Sequence, residues 1–225
     1  MAAAVARDLD APVPTCPAWN VAKLTIHTGQ HHRWVADAVR RGGSAPEDPP
    51  KPGLRGDDLV EWFRRGWRDL ADLLDATDDG APTWTWSVEQ RAGFWRRRTT
   101  LETLVHRWDA ENAVGVTPAA LDPVLSADGI DEMLFVMVAQ GDSVYRGESV
   151  SAALSASDAE GAWTIDLEDG EPPRPGRGEA PGPGVTLTGP AEKLLLFLWG
   201  RVGPEAVDVA GDEEKVAALL KWIDE

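Results

Sequence analysis

Apolar positions in the first half of the chain recur at steps of three and four, as on the buried face of a helix. Residues 2–8 suit a short helix that ends where the chain turns proline-rich, at Ala11-Pro12-Val13-Pro14. Asn20 is a suitable N-cap for a helix over about residues 21–41, whose stripe is Leu24, Ile26, Trp34, Val35 and Val39. The Pro/Gly-rich stretch from Gly42 to Gly56 reads as a loop. A second long helix fits Asp57 to Ala76, through Leu59, Trp62, Phe63, Leu70 and Leu73, and Asp78-Asp79-Gly80-Ala81-Pro82 stops it. Residues 83–97, rich in Trp and Arg, read as an extended connector, and a third long helix fits Thr99 to Val114, ended by Gly115.

Beyond residues 116–126 the period changes. A helix over Ala127–Gln140 is followed by Ser149–Ser157 and Gly161–Glu168, which alternate apolar and polar residues as strands do. Glu171–Gly184 is rich in Pro and Gly and reads as an exposed loop. Short strands at residues 185–188 and 207–209 frame an apolar helix over Pro190–Gly200, and a helix near Asp212–Ile223 closes the chain. The expected fold class is α+β, with an all-helical domain over residues 1–120 and a small α/β domain over residues 121–225.

Charge sharpens this division. Residues 1–120 carry 15 Lys/Arg against 17 Asp/Glu, whereas residues 121–225 carry 7 against 21, so most of the net charge of −16 lies in the second domain. No basic stripe is available to displace counterions from phosphates, which argues against nucleic acid as a partner. The single Cys16 excludes an internal disulfide and suits a reducing compartment. No run reaches the 18 or so apolar residues that a membrane span needs, and the N-terminus lacks the apolar core of a signal peptide. The expectation is a soluble, cytoplasmic protein. No heptad seam asks for a partner, so a monomer is expected. The eleven tryptophans point to core packing or pocket lining, with Trp84, Trp86 and Trp95 open to either role.

The candidate chemistry is a metal site. Glu102 and His106 stand at i and i+4, which places a carboxylate and an imidazole on one helical face, as ligands of one ion or as an ordinary surface pair. One more ligand from another helix would leave an open coordination position, as catalytic zinc sites do. His27 and His31 share an i,i+4 face of their own, and either can supply it. His32 points elsewhere and suits a surface or packing role. Asp109, three residues past His106, can orient the imidazole from outside the ligand set or serve as an ordinary surface acid. Cys16 can be a nucleophile or ligand but better suits packing, and the run Arg96-Arg97-Arg98 can attract an anionic cofactor but better suits a solvated face.

The stretch Pro14-Thr15-Cys16-Pro17-Ala18-Trp19-Asn20-Val21-Ala22-Lys23-Leu24, with His27, Gly29 and His32-Arg33-Trp34, resembles the N-terminal signature of the mycothiol-dependent maleylpyruvate isomerase family. Leu101-Glu102, with Val105-His106-Arg107-Trp108-Asp109-Ala110, is similar to its second signature, and Leu196, Leu198 and Trp199-Gly200-Arg201 to the end of its second domain. The resemblance implies a DinB-like four-helix bundle followed by a sterol-carrier-like α/β domain. It places the zinc ligands on His27, Glu102 and His106, preferring His27 to His31, and puts the family's active-site arginine on Arg201. It departs at the N-terminus, where the family has a full first helix.

The implied function is a zinc-dependent enzyme that uses mycothiol, a low-molecular-weight thiol, against an electrophilic small molecule. The reaction is then either cis–trans isomerisation, as with maleylpyruvate, or thiol S-transfer. Arg201 can grip a carboxylate through two parallel hydrogen bonds, and equally can be an interface or surface residue. Two other readings remain: a metal-dependent hydrolase with His31 as acid or base, and a non-catalytic protein that binds a small ligand.

Overall fold

The computed structural model describes residues 1–141, 144–178, 182 and 184–224. The chain divides into two compact units, Met1–Ala119 and Ala120–Glu225. The first holds four helices and the second a five-stranded mixed sheet with helices, an α+β protein.

In the first unit, α1 is a single turn, Ala2–Val5, shorter than residues 2–8 suggested. Asp8 Oδ1 accepts hydrogen bonds from the backbone amides of Asp10 and Ala11, so the chain turns there instead of continuing the helix. α2 runs Val21–Arg41 and starts where expected, because Asn20 Oδ1 accepts from the Lys23 amide at 3.0 Å. It ends at Gly42, whose φ of 66° suits a residue without Cβ. The α2 residues buried among its neighbours include Leu24, Thr25, Thr28, His32 and Val35. The face is thus more polar than a purely apolar stripe.

α3, Gly56–Asp75, packs closely against α2. A Cβ on Gly29 would collide with the Trp62 ring, and one on Gly66 would collide with the Arg33 guanidinium. Arg33 fills that gap by donating to the carbonyls of Gly29 and Trp62, at 2.9 and 2.6 Å.

α4 corrects the sequence reading. It spans Ala92–Ala113, so the second half of the expected 83–97 connector is helix. Ahead of it, Gln90 bonds back to Thr85 and Ser87. Phe94, Trp95 and Arg98 are buried on α4, an aromatic and cationic face that hydrophobic periodicity alone passes over. Trp95 is fully enclosed, with its indole N–H donating to the Trp84 carbonyl at 2.7 Å and its ring edge-on to Trp34 and Phe94. Trp84 and Trp95 are therefore part of an aromatic core layer, while Trp86 is exposed.

In the second unit, α5 (Pro123–Glu132) starts four residues before the expected Ala127, because Asp122 caps it by accepting from the Val124 and Leu125 amides. A π-helical segment, Met133–Val138, continues it. The strands are β1 (Val150–Ala156), β2 (Ala162–Leu167), β3 (Arg174–Arg177), β4 (Val185–Gly189) and β5 (Asp208–Gly211), in the order β3-β2-β1-β4-β5. β1 and β4 are parallel and every other pair is antiparallel. Leu154 faces Trp163 on one side and Leu187 on the other, so alternate residues form one buried layer. α6 (Ala191–Leu198) and α7 (Glu213–Asp224) pack on the sheet. β3 lies inside the stretch expected to be loop; residues 179–181 and 183 of that stretch fall outside the described residues. No helix among the described residues is long and apolar enough to cross a membrane.

Candidate metal centre

α2 and α4 lie side by side and bring three donors to one point. His27 Nε2 is 3.2 Å from Glu102 Oε1, and His106 Nε2 is 3.1 Å from the same oxygen. All three donor atoms lie within 4.8 Å of one another. Ligands bound tetrahedrally to zinc at about 2.0–2.1 Å stand roughly 3.3 Å apart, so the donor set fits a small divalent ion with little rearrangement. The cluster contains two imidazoles and one carboxylate, the borderline-soft set that suits zinc. Three protein donors of this kind would leave a coordination position open.

The other Glu102 oxygen, Oε2, accepts from Arg98 Nη2. Arg98 is therefore buried beside the site and does not belong to a solvated face, which corrects the reading of the arginine run. Arg96 is spent elsewhere, donating to Asp79 and to the carbonyls of Leu74 and Thr77 at the end of α3. The signal for Arg98 was present in the sequence: Arg98, Glu102 and His106 repeat at four-residue steps along one helical face. Burial by itself would push the Glu102 carboxyl up, but the hydrogen bonds from His106 and His27 and the nearby cations hold it well below its ordinary value.

His106 is held on its far side as well. Its Nδ1 lies 2.9 Å from Asp109 Oδ2, and Asp109 Oδ1 accepts from the Thr15 hydroxyl at 2.7 Å. Asp109 is completely buried, so it is no surface acid. Burial disfavours a charged His106, yet its bonds to Asp109 and Glu102 outweigh that and raise it to about 9. The two carboxylates on either side of the His106 ring, Glu102 and Asp109, thus favour positive charge at that ring.

The site is closed on one side and open on the other. The Trp19 ring lies 4.8 Å from the His27 ring and 6.2 Å from that of His106. The His106 side chain is 9% exposed and that of His27 43%, so access runs past His27. There an open cleft of about 460 Å³ is lined by His27, Gln30, His31, Trp34, Asp48, Pro49 and Lys51. Gln30 donates to the Pro49 carbonyl at 2.9 Å, which pins the 42–56 loop as one wall.

The remaining histidines are not in the donor set. His31 Nε2 is 3.3 Å from Thr99 Oγ1, its ring edge-on to Trp95, and burial lowers it to about 4. His32 is wholly buried between Phe63 and Trp67 with Nε2 3.1 Å from Thr103 Oγ1, and burial lowers it to about 3. Cys16 is half-buried and packs against the apolar cluster around Val5, Val13 and Val21.

The family model of the mycothiol maleylpyruvate isomerase N-terminal domain matches residues 1–111, and that of the MDMPI C-terminal domain matches residues 124–218. The chain belongs to the mycothiol maleylpyruvate isomerase family. A search of curated proteins returned no match. Membership suggests a mycothiol-related enzyme and is consistent with the resemblance carried by the three sequence motifs. Within this family member, Arg201 lies in the second unit just past α6, after Gly200 with its φ of 66°. Its Nη1 donates to the Trp199 carbonyl at 2.6 Å.

Proposed function

We propose that the chain is a zinc-dependent enzyme that uses mycothiol against an electrophilic small molecule, as a maleylpyruvate isomerase-like cis–trans isomerase or a thiol S-transferase. The observation that carries this reading is the convergence of His27 Nε2, Glu102 Oε1 and His106 Nε2, with His27 also lining an open cleft. His27 and His106 serve as neutral imidazole donors and Glu102 as a single-oxygen donor, since Arg98 engages its other oxygen. Bound zinc supplies a positive charge that favours thiolate over thiol at neutral pH. Trp19 shields one side from water, and the cleft beside His27 admits the electrophile. On the family resemblance, Arg201 is assigned a carboxylate of the substrate or an oxygen of the thiol.

Elemental analysis of the purified protein beside a His106→Ala variant tests the metal. Near-stoichiometric zinc in the wild type and its loss in the variant are expected. Absence of zinc from the wild type, even after zinc addition and dialysis, sinks the catalytic reading. Substrate turnover is then measured with and without thiol: acceleration by thiol supports the isomerase or transferase, and indifference to thiol points instead to a hydrolase.

A further inference from the structure

Asp109 is fully buried, carries a carboxylate, and is three residues past His106 on α4. Both of its oxygens are directed: Oδ2 to His106 Nδ1 at 2.9 Å, and Oδ1 to the Thr15 hydroxyl at 2.7 Å. Thr15 comes from the N-terminal loop, far away in sequence, which also carries Trp19 over the His27 and His106 rings. That loop is tied back at Val13, whose amide donates to the Trp19 carbonyl at 3.0 Å. A buried carboxylate is costly unless its oxygens are satisfied, and here both are.

We propose that Asp109, seated by Thr15, is the positioning residue of the metal centre, holding His106 with its proton on Nδ1 so that Nε2 is presented as the donor beside Glu102. The inference rests on the reading that His106 binds the metal. The physical basis is that an imidazole has two nitrogens, and a hydrogen bond at one decides which is free to donate. Without Asp109 the ring can rotate about its bonds to the backbone and can carry its proton on either nitrogen. The Thr15 hydroxyl adds a second constraint: by occupying Oδ1 it keeps the carboxylate plane turned so that Oδ2 meets His106. The same bond connects the Trp19-bearing loop to α4, so one contact both orients a donor and keeps the site's cover in place.

Zinc affinity is measured for the full-length wild type, Asp109→Asn and Thr15→Val, by competition with a chromophoric chelator after folding has been checked by circular dichroism. Asp109→Asn preserves shape and removes the charge, and outer-sphere partners of this kind typically contribute 10–100-fold in affinity. We expect weakening in that range for Asp109→Asn and a several-fold weakening for Thr15→Val. The His106 ring is then followed by long-range ¹⁵N–¹H correlation in the zinc-loaded proteins. A single Nδ1–H form in the wild type and mixed or altered ring signals in Asp109→Asn are expected. A merely structural Asp109 would lower thermal stability yet leave the zinc affinity and the His106 ring signals of the folded protein at wild-type values, and that result overturns the proposal. Should Asp109→Asn fail to fold, Thr15→Val carries the test: because the proposal seats Asp109 through Thr15, wild-type affinity and ring signals in a folded Thr15→Val also overturn it. Failure of the wild type to bind zinc would bring down the metal reading itself, a different signature from normal binding in the variants.

Discussion

Single side chains in this protein are tuned by what surrounds them, and His32 shows how that becomes a pH dependence. It is fully buried beside Phe63 and Trp67, and burial lowers it from an ordinary 6.5 to about 3. The fold therefore selects neutral imidazole. Between those two values the unfolded chain binds a proton that the folded chain does not, so this contribution is complete above about 6.5 and is lost as pH falls toward about 3. Each unit in that window costs roughly 1.4 kcal/mol for one such group. Urea unfolding of wild type and His32→Gln at pH 7.5 and pH 5 checks it. The wild type is expected to lose more stability on acidification than the variant, and equal losses would show that His32 is not responsible.

At the level of elements, the α2–α3 contact is set by two glycines and the large groups that occupy the space above them. The Trp62 ring lies where a Cβ of Gly29 would be, and Arg33 closes the same seam by bonding to both helices. Gly29→Ala is thus an overpacking change despite alanine's better helix propensity. It is expected to destabilise by about 1–3 kcal/mol, read as a lower denaturation midpoint. A neutral or stabilising result would mean that Trp62 moves aside without loss. Because α2 carries His27, zinc affinity in the same variant reports whether the seam also sets the donor geometry.

For the molecule as a whole, the three donors belong to one unit, Met1–Ala119, and none to Ala120–Glu225. A ligand that binds only the folded state stabilises by mass action, about 2.7 kcal/mol at a hundred times its dissociation constant. Zinc is therefore expected to slow amide hydrogen exchange in α2 and α4 while leaving β1, β2 and β4 at their metal-free rates. Equal slowing across both units would show that the ion acts on the chain globally and not through the site of the first unit. The lopsided charge, 7 Lys/Arg against 21 Asp/Glu beyond residue 120, leaves the two units with different surfaces.

Residues close in the chain determined much of this protein before any folding was considered. The alternation of Ser149–Ser157 and Gly161–Glu168, the Asn20 cap and the four-residue step from Glu102 to His106 are local patterns, and helices and strands obey local periodicities. The start of α4 and the role of Arg98 are among the features the local pattern misreads. A buried face made of Phe94, Trp95 and Arg98 has no apolar period, and an arginine run looks solvated until its partner is known. Other features only the tertiary structure decided. That His27, not His31, meets Glu102 depends on how α2 lies along α4, since both histidines occupy one α2 face. That Asp109 is an anchor and not a surface acid depends on Thr15 arriving from 94 positions away. Spacing along one helix gives a direction for each side chain; which side chain it meets is decided by packing between elements that the local sequence does not encode.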